Sequence, residues 1–426
     1  MAITKVTGGL LGNLAVGTNN VALGDSALSG GSLSGGYNIA VGATAADALT
    51  VGGYNVAVGY TALGADTKGS KSVALGNYAL ALQNFTSATD TYNTAVGHLA
   101  GYQVTTGVQN TIIGGLAGDS LTIGSNNTAV GYATLTESQT ASNNTAVGHK
   151  ALQLNSSGTE NVAVGALALD ACTTGVENTA VGASALSSNA NSGNNVAVGR
   201  MALRDTTAGN NTACGHQSLI LTSSGISNTA LGKSAGGYIT TGAYNTMLGA
   251  NAGADSASLR LTTGSGNICL GFACDVAAPG DSYSIVIGYD LTAKGGSTGF
   301  YGGSGGVYNE GNTTLWQTVS DRRIKKNIED NNVGLDAIKQ IQVKNFEYRT
   351  EDEIVDFDNP SVAVVKKEGI QLGVIAQEIE EILPDMVKTQ STGVKSVNPD
   401  NLTWYLVNAV KELSAEVEEL KSRLGD

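Results

Sequence analysis

Along the first 288 residues one short hydrophobic pattern returns at an almost fixed interval. Asn-Thr-Ala-Val-Gly, or a close variant, begins at Asn38, Asn55, Ser72, Asn93 and Asn110 and continues to Asn245, Asn267 and Ser284; most steps are 17 residues and one is 16. Within each run the second and fourth positions hold Thr, Val, Ile or Leu and the third is nearly always Ala, which is the alternation of a short strand. A Gly such as Gly42, Gly97 or Gly148 ends it. Three residues later comes an Ala, usually followed by Leu or Gly, as in Ala151-Leu152, Ala185-Leu186 and Ala252-Gly253. A polar stretch with a second Gly, for example Ser156-Ser157-Gly158, closes the unit.

A period this strict means stacked units. Seventeen residues at about 3.3 Å each make a coil of about 55 Å perimeter, which suits a flattened or triangular turn of a parallel β-solenoid. About sixteen such coils, counting an imperfect one at Asn20, would stack about 4.8 Å apart into a rod of about 75 Å. In register, the Asn side chains form an amide ladder, Ala and Gly let backbones approach, and the Val/Leu column fills the remaining space. The pattern resembles the β-roll heads of trimeric autotransporter adhesins and the shafts of phage fibres, with a longer period than the adhesin heads. Two units are longer, from Ser72 to Asn93 and from Asn245 to Asn267. Their extra residues, among Gln83-Asn84-Phe85-Thr86 and Ser258-Leu259-Arg260-Leu261, are expected to bulge outward as loops.

The repeat fails at residues 289–319, a Gly-rich segment bearing Phe300, Tyr301, Tyr308 and Trp316. Aromatic rings on flexible backbone suit recognition of a glycan or protein receptor; equally, they suit a linker whose rings pack at an assembly axis. From residue 320 the composition changes: the last 107 residues hold 35 of the chain's 59 charges and only five of its 58 Gly. The pattern there predicts a helix over residues 335–341, strands over 343–349 and 362–366, and a helix over 375–383 stopped by Pro384. Asn398-Pro399-Asp400 reads as an N-cap with Pro at the first helical position. The final helix carries Leu406, Val410, Leu413, Val417, Leu420 and Leu424, alternately four and three apart, a coiled-coil seam of just under three heptads. The fold class is therefore a mainly β repeat array followed by a small α+β domain ending in a coiled-coil helix. The domains are a candidate attachment segment at 1–19, the shaft at 20–288, a tip or linker at 289–319 and the terminal domain at 320–426.

Charge and composition narrow the function. A net charge of −13 argues against nucleic acid or an anionic membrane as partner, and no apolar run is long enough for membrane insertion. The N-terminus lacks the apolar core of a signal peptide. Cys172, Cys214, Cys269 and Cys274 form no CxxC pair and read as small buried hydrophobes in a reducing compartment. His98, His149 and His216 each follow a repeat Gly, a tolerated repeat position, so no metal and no cofactor is expected. With 15 acidic residues in the first 319 and no recurring pair, a polysaccharide-cleaving carboxylate site is disfavoured.

The boundary itself carries candidate chemistry. Ser320-Asp321-Arg322-Arg323-Ile324-Lys325-Lys326-Asn327-Ile328 places a hydroxyl and an amine five residues apart. A serine needs a base to become a nucleophile, and a lysine serves as one only where burial leaves it neutral. This run, Gly373-Val374-Ile375-Ala376-Gln377-Glu378-Ile379 with Leu383-Pro384-Asp385-Met386-Val387, and the closing helix together resemble the endosialidase-type C-terminal intramolecular chaperone. That is the self-cleaving domain at the end of many phage tail spikes and fibres. The resemblance implies Ser320 as nucleophile, Lys325 as its base and Val319–Ser320 as the bond broken, with Asp321, Arg322 and Arg323 unassigned. It implies a homotrimer, although Val and Leu at alternate seam positions lean towards a dimer by intrinsic preference. It also implies a tail fibre made in the host cytoplasm and carried on the virion tail, with tail or baseplate proteins and a host cell-surface receptor as partners. The rival expectation is a non-viral repeat adhesin or an ice-binding solenoid without proteolytic activity.

Overall fold

The computed structural model describes residues 19–31, 33–254, 259–293, 295–302, 307–310, 322–354, 365, 367–389 and 393–425. The chain divides into two compact units, Met1–Val319 and Ser320–Asp426.

The first unit is a parallel β-solenoid. Its main sheet has 18 strands; sixteen open the coils, from Val21–Leu23 to Ile285–Gly288, and two, Thr298–Gly302 and Val307–Glu310, close the end. Each three-residue strand pairs in parallel with its counterpart one coil on, Ala on Ala: Thr145↔Val162, Ala146↔Ala163, Val147↔Val164. The register is fixed by which face is buried. Ala129, Ala146, Ala163 and Ala180 point inward and are sealed from solvent, whereas the flanking Thr and Val sit on the outer face, half-buried. This corrects one expectation. The space beside the Ala column is filled by Leu152, Leu169, Leu186 and Leu203 from the turn after the strand, and the strand's own β-branched rows face outward. A thin inward row leaves room only for side chains delivered from the opposite wall.

Corners are made by left-handed backbone. In the coil that opens at Asn144, Lys150, Leu152 and Glu160 have φ of 57°, 50° and 62°. Gly148 lies at φ 136°, where a Cβ would come within 2.5 Å of the Gly165 carbonyl oxygen. Strand-ending Gly is thus required twice over, by conformation and by the closeness of the next coil.

The Asn ladder is present and does two jobs. Asn161 Oδ1 accepts from the backbone N–H of Asn178 at 3.1 Å and from its Nδ2 at 3.1 Å, while Asn161 Nδ2 donates to the Gly175 carbonyl at 2.8 Å. From Asn38 to Asn267 every Asn in the column is buried, so each removed side chain orphans a buried N–H and a buried carbonyl, at about 1–3 kcal/mol apiece. Asn161→Ala is therefore expected to open its two neighbouring coils first, seen as lost amide protection at Asn178 in hydrogen exchange; unchanged protection there would refute the ladder's role.

Where Ser72 replaces Asn, the longer unit repairs the gap. Gln83 Nε2 donates to Ser72 Oγ at 2.8 Å and to Asp66 Oδ2 at 2.6 Å, and Gln83 Oε1 accepts from Asn93 Nδ2 at 2.9 Å. Gln83 and Phe85 are buried rather than bulging outward, while Asn84 and residues 86–88 lie at the surface before Thr89–Asp90 pairs with Gly69–Ser70. A polar vacancy in the ladder draws the insertion inward. In the second long unit Leu261 is likewise buried and Arg260 lies over the Tyr238 ring at 3.7 Å.

Burial raises the carboxyl pKa of Asp66, with hydrogen bonds from Gln83 and the Gly69 and Lys68 amides opposing the shift. A native pKa above the unfolded value means that the unfolded chain loses its proton first, so this group's contribution falls as pH rises. Protection of the Gly69 amide, corrected for intrinsic exchange, should decline from about pH 4 towards neutrality, and Asp66→Asn should remove that decline. A flat profile in the wild type would contradict it.

The free cysteines fit the same columns. Cys172 is fully buried and its thiol is pushed up to about 11 by desolvation. At the far end the stacking runs one strand beyond the last recognisable repeat: Thr298–Gly302 pairs in parallel with Ile285–Gly288, and Val307–Glu310 folds back antiparallel on it. Among the described residues no helix is long and apolar enough to cross a membrane.

Candidate functional site

The second unit is built on three helices, α1 (Leu335–Gln340), α2 (Ala376–Ile382) and α3 (Leu402–Leu424), with two small antiparallel pairs, Lys344–Phe346 with Gln371–Gly373 and Val387–Thr389 with Lys395–Val397. The expected strand at 362–366 lies outside the described residues apart from Val365. Its core is small: Ile379, Leu383, Met386 and Tyr405 are buried, with Val333, Ala337, Ile338 and Leu402 packed around them.

The Leu383-Pro384-Asp385-Met386 run explains how α3 is held. Pro384 starts a short turn that sends Met386 into the core, and Asp385 accepts from the Tyr405 hydroxyl and, at 2.9 Å, from Asn401 Nδ2. The hydrogen bond from the Tyr405 hydroxyl, and after it that from the Asn401 amide, holds the Asp385 carboxyl below the usual range; the first of these bonds pushes the Tyr405 phenol up to about 12. Asn398 Oδ1 accepts from the Asp400 amide at 3.1 Å, so the predicted cap leads into a short turn, Pro399–Asn401, ahead of α3. Further along, Glu412 Oε2 accepts from the Leu335 amide at 2.7 Å at the start of α1, and Asn408 Nδ2 donates to the Asn331 and Val333 carbonyls at 2.8 and 3.1 Å. The sequence gives no anchoring role to Asp385, Asn408 or Glu412; for the last two the signal is polar residues recurring on one side of an otherwise apolar-striped helix, and for Asp385 its place in the Leu383-Pro384-Asp385-Met386 run.

The opposite stripe of α3 is uncovered. Leu406, Val410, Leu413, Val417, Leu420 and Leu424 are all exposed, Val410 to 64% and Leu424 to 81%. One face of α3 thus belongs to its own unit and the other, among the described residues, is exposed.

Of the proposed catalytic residues, Val319 and Ser320 lie outside the described residues. Lys325 follows a short turn, Arg322–Ile324, donates its amide to the Arg322 carbonyl at 3.2 Å, and has an exposed side chain. Of the candidate receptor contacts, Phe300 is 5% exposed and extends the buried column beyond Val286, so its ring serves packing. Tyr301, next to it, is 58% exposed. Tyr308 is on the returning strand, and Trp316 lies outside the described residues. Among the described residues no group of three or more His, Cys, Asp or Glu is placed to hold a metal ion.

Fold and terminal unit together define a long repeat shaft joined to a compact α+β foot with an unpartnered helix face. Residues 320–388 of that foot match the family described as the chaperone of endosialidase, a peptidase family whose members are self-cleaving. The match supports an intramolecular chaperone role for the C-terminal unit and a peptidase-like domain within it. No curated protein matches the chain, and no solved structure does.

Proposed function

We propose that this chain is a phage tail fibre for host attachment whose foot trimerises first, sets the register of three shafts, and is then released by cleavage at Val319–Ser320. The observation that carries it is the family match beginning at residue 320, where the repeat array gives way to a differently built unit. Near-identical coils pair almost as well one unit out of step, so register has to be imposed from one end. A foot that associates early supplies this by holding the three chains at high local concentration.

Two apolar surfaces support self-association. One is the α3 seam; the other is the outer row of the shaft strands, where Val21, Ile39, Leu231 and Ile285 are each more than 40% exposed. Both would be covered by copies of the same chain. Sedimentation should give the mass of three chains, and Leu413→Glu with Val417→Glu should abolish it; a monomeric wild type would exclude the assembly.

In the cleavage step Ser320 Oγ attacks the Val319 carbonyl carbon while Lys325 Nζ takes the hydroxyl proton. The Val319–Ser320 C–N bond breaks as the amine leaves, protonated in turn, and water then releases the acyl group from Ser320. A neutral lysine requires burial, and Lys325 is exposed in the single chain. Assembly would cover it, so cleavage follows trimerisation. On a denaturing gel the wild type should split into a large and a small piece, and Ser320→Ala and Lys325→Ala should stay whole. Equal splitting in all three would eliminate the dyad. Tyr301, Tyr308 and Trp316 remain the candidate receptor contacts of the 289–319 segment on this reading.

A further inference from the structure

On the shaft, away from the strand face, four consecutive coils form an open trough of about 420 Å³ lined by Thr44, Asp47, Tyr60, Thr61, Gly64, Ala65, Tyr78, Ala81, Leu82 and Tyr102. Its floor exists because one stacked column is locally small. Backbone bonds align Gly64 with Ala81 through their neighbours, Ala48 to Gly64 and Ala65 to Ala81, and the column continues through Tyr102, Asp119 and Thr136. Gly64 and Ala81 leave the space, with Asp47 in the coil before them and Tyr102 in the coil after.

The wall is aromatic. Tyr60 and Tyr78 meet edge to face at 5.2 Å and 90°, and Tyr78 and Tyr102 at 6.1 Å and 85°. Because successive rings are turned by a right angle, each pair occupies the face of only one of its two rings, whereas the parallel Tyr37–Tyr54 pair, at 5.0 Å and 9°, covers a face of both. At the Asp47 end the Thr44 and Thr61 hydroxyls bond each other at 2.9 Å, and the half-buried carboxylate has no cation within salt-bridge reach among the described residues. Leu82, 41% exposed, adds an apolar patch.

We propose that this trough binds an uncharged saccharide segment, with the tyrosine rings against the C–H faces of the sugar and Asp47, Thr44 and Thr61 bonding its hydroxyls. The site is shallow and offers ring faces, hydroxyls and one acceptor carboxylate, which match a ligand that alternates C–H and O–H surface. A chain of net charge −13 with a carboxylate in the site disfavours acidic sugars. The trough runs over three coil steps, about 14 Å, so it takes several residues of a linear chain. This inference rests on the reading of the shaft as an attachment fibre, and it places the recognition on the side of the shaft.

The test uses the full chain and two immobilised sets: uncharged hexose and N-acetylhexosamine oligosaccharides, and sialylated and uronic-acid oligosaccharides. Retention of uncharged members is expected, with at least tenfold weaker binding in Tyr78→Ala and in Gly64→Leu. An added Cβ at Gly64 would come within 2.8 Å of Thr61 Cγ2 and 3.4 Å of Asp47 Oδ1, so the leucine crowds the polar end of the trough itself, and Tyr78→Ala is the variant that leaves that end untouched. Tyr132→Ala, several coils away, should bind as the wild type does. No retention of any uncharged member, retention of acidic members alone, or equal binding by both trough variants overturns the proposal. Glycan binding that ignores Tyr78→Ala but falls in Tyr301→Ala would leave host attachment standing and remove the trough.

Discussion

A chain ending at Val319 is expected to lose the native assembly: it should sediment as aggregates or polydisperse oligomers and be digested by protease, while the full chain gives one protease-resistant species. The physical reason lies in the sameness of the coils. Register Thr145↔Val162 and register Thr179↔Val196 present nearly the same surface, so the free energy separating the correct alignment from a one-unit slip is small. The foot, with its own core around Ile379, Leu383, Met386 and Tyr405, does not share that ambiguity. Supplying it in trans should rescue little, because register is set through the covalent connection and the high local concentration it creates. If the truncated chain still assembles into native, resistant particles unaided, the chaperone role fails. Removal of the foot after folding has the opposite effect, since a rod without its register-setting end unfolds by a path it cannot retrace.

Replacing Gly165 with Ala is expected to destabilise the shaft strongly. Gly165 has φ 139°, and a Cβ would sit 2.6 Å from both the carbonyl carbon and oxygen of Gly182, which are backbone atoms that cannot rotate away. Strain of this kind costs upwards of about 3 kcal/mol once the two effects act together. Limited proteolysis should cut within the coils on either side of position 165. Gly115→Ala is the matched control: its Cβ would meet only Tyr132 at 3.7 Å, and Ala166 and Ala183 stand one residue after a strand-ending Gly in other coils. Equal stability of the two variants would show that close coil approach does not limit the shaft.

The solenoid was legible because one period repeats sixteen times and each instance corrects the others. Strand, Gly corner and Asn ladder all follow from the Asn-Thr-Ala-Val-Gly run. Which side chains fill the core was harder, since Val147 and Leu152 are equally apolar on paper and only the corner geometry decides that Leu152 goes in. The inward turn of the Ser72–Asn93 insertion was not legible either; Gln83 looks like a surface residue until Ser72 leaves a polar gap beside it. Phe300 was misplaced for a related reason. The Gly-rich segment hides one more coil strand, and the ring occupies the column that Ala holds elsewhere. In the foot, helix boundaries and the seam came from spacing alone, but the hydrogen bonds of Asp385 and Glu412 join positions 20 and 77 apart, beyond any local pattern.

The antiparallel return of Val307–Glu310 gives the stack a direction. A ladder of parallel coils has no internal stop: each finished coil is a template for the next, whether that next coil belongs to the same molecule or to a stranger. A hairpin whose outer strand runs the wrong way offers no such template. Growth is thereby terminated at the C-terminal end of the coils, and a run of coils this uniform is kept from polymerising end to end through that edge.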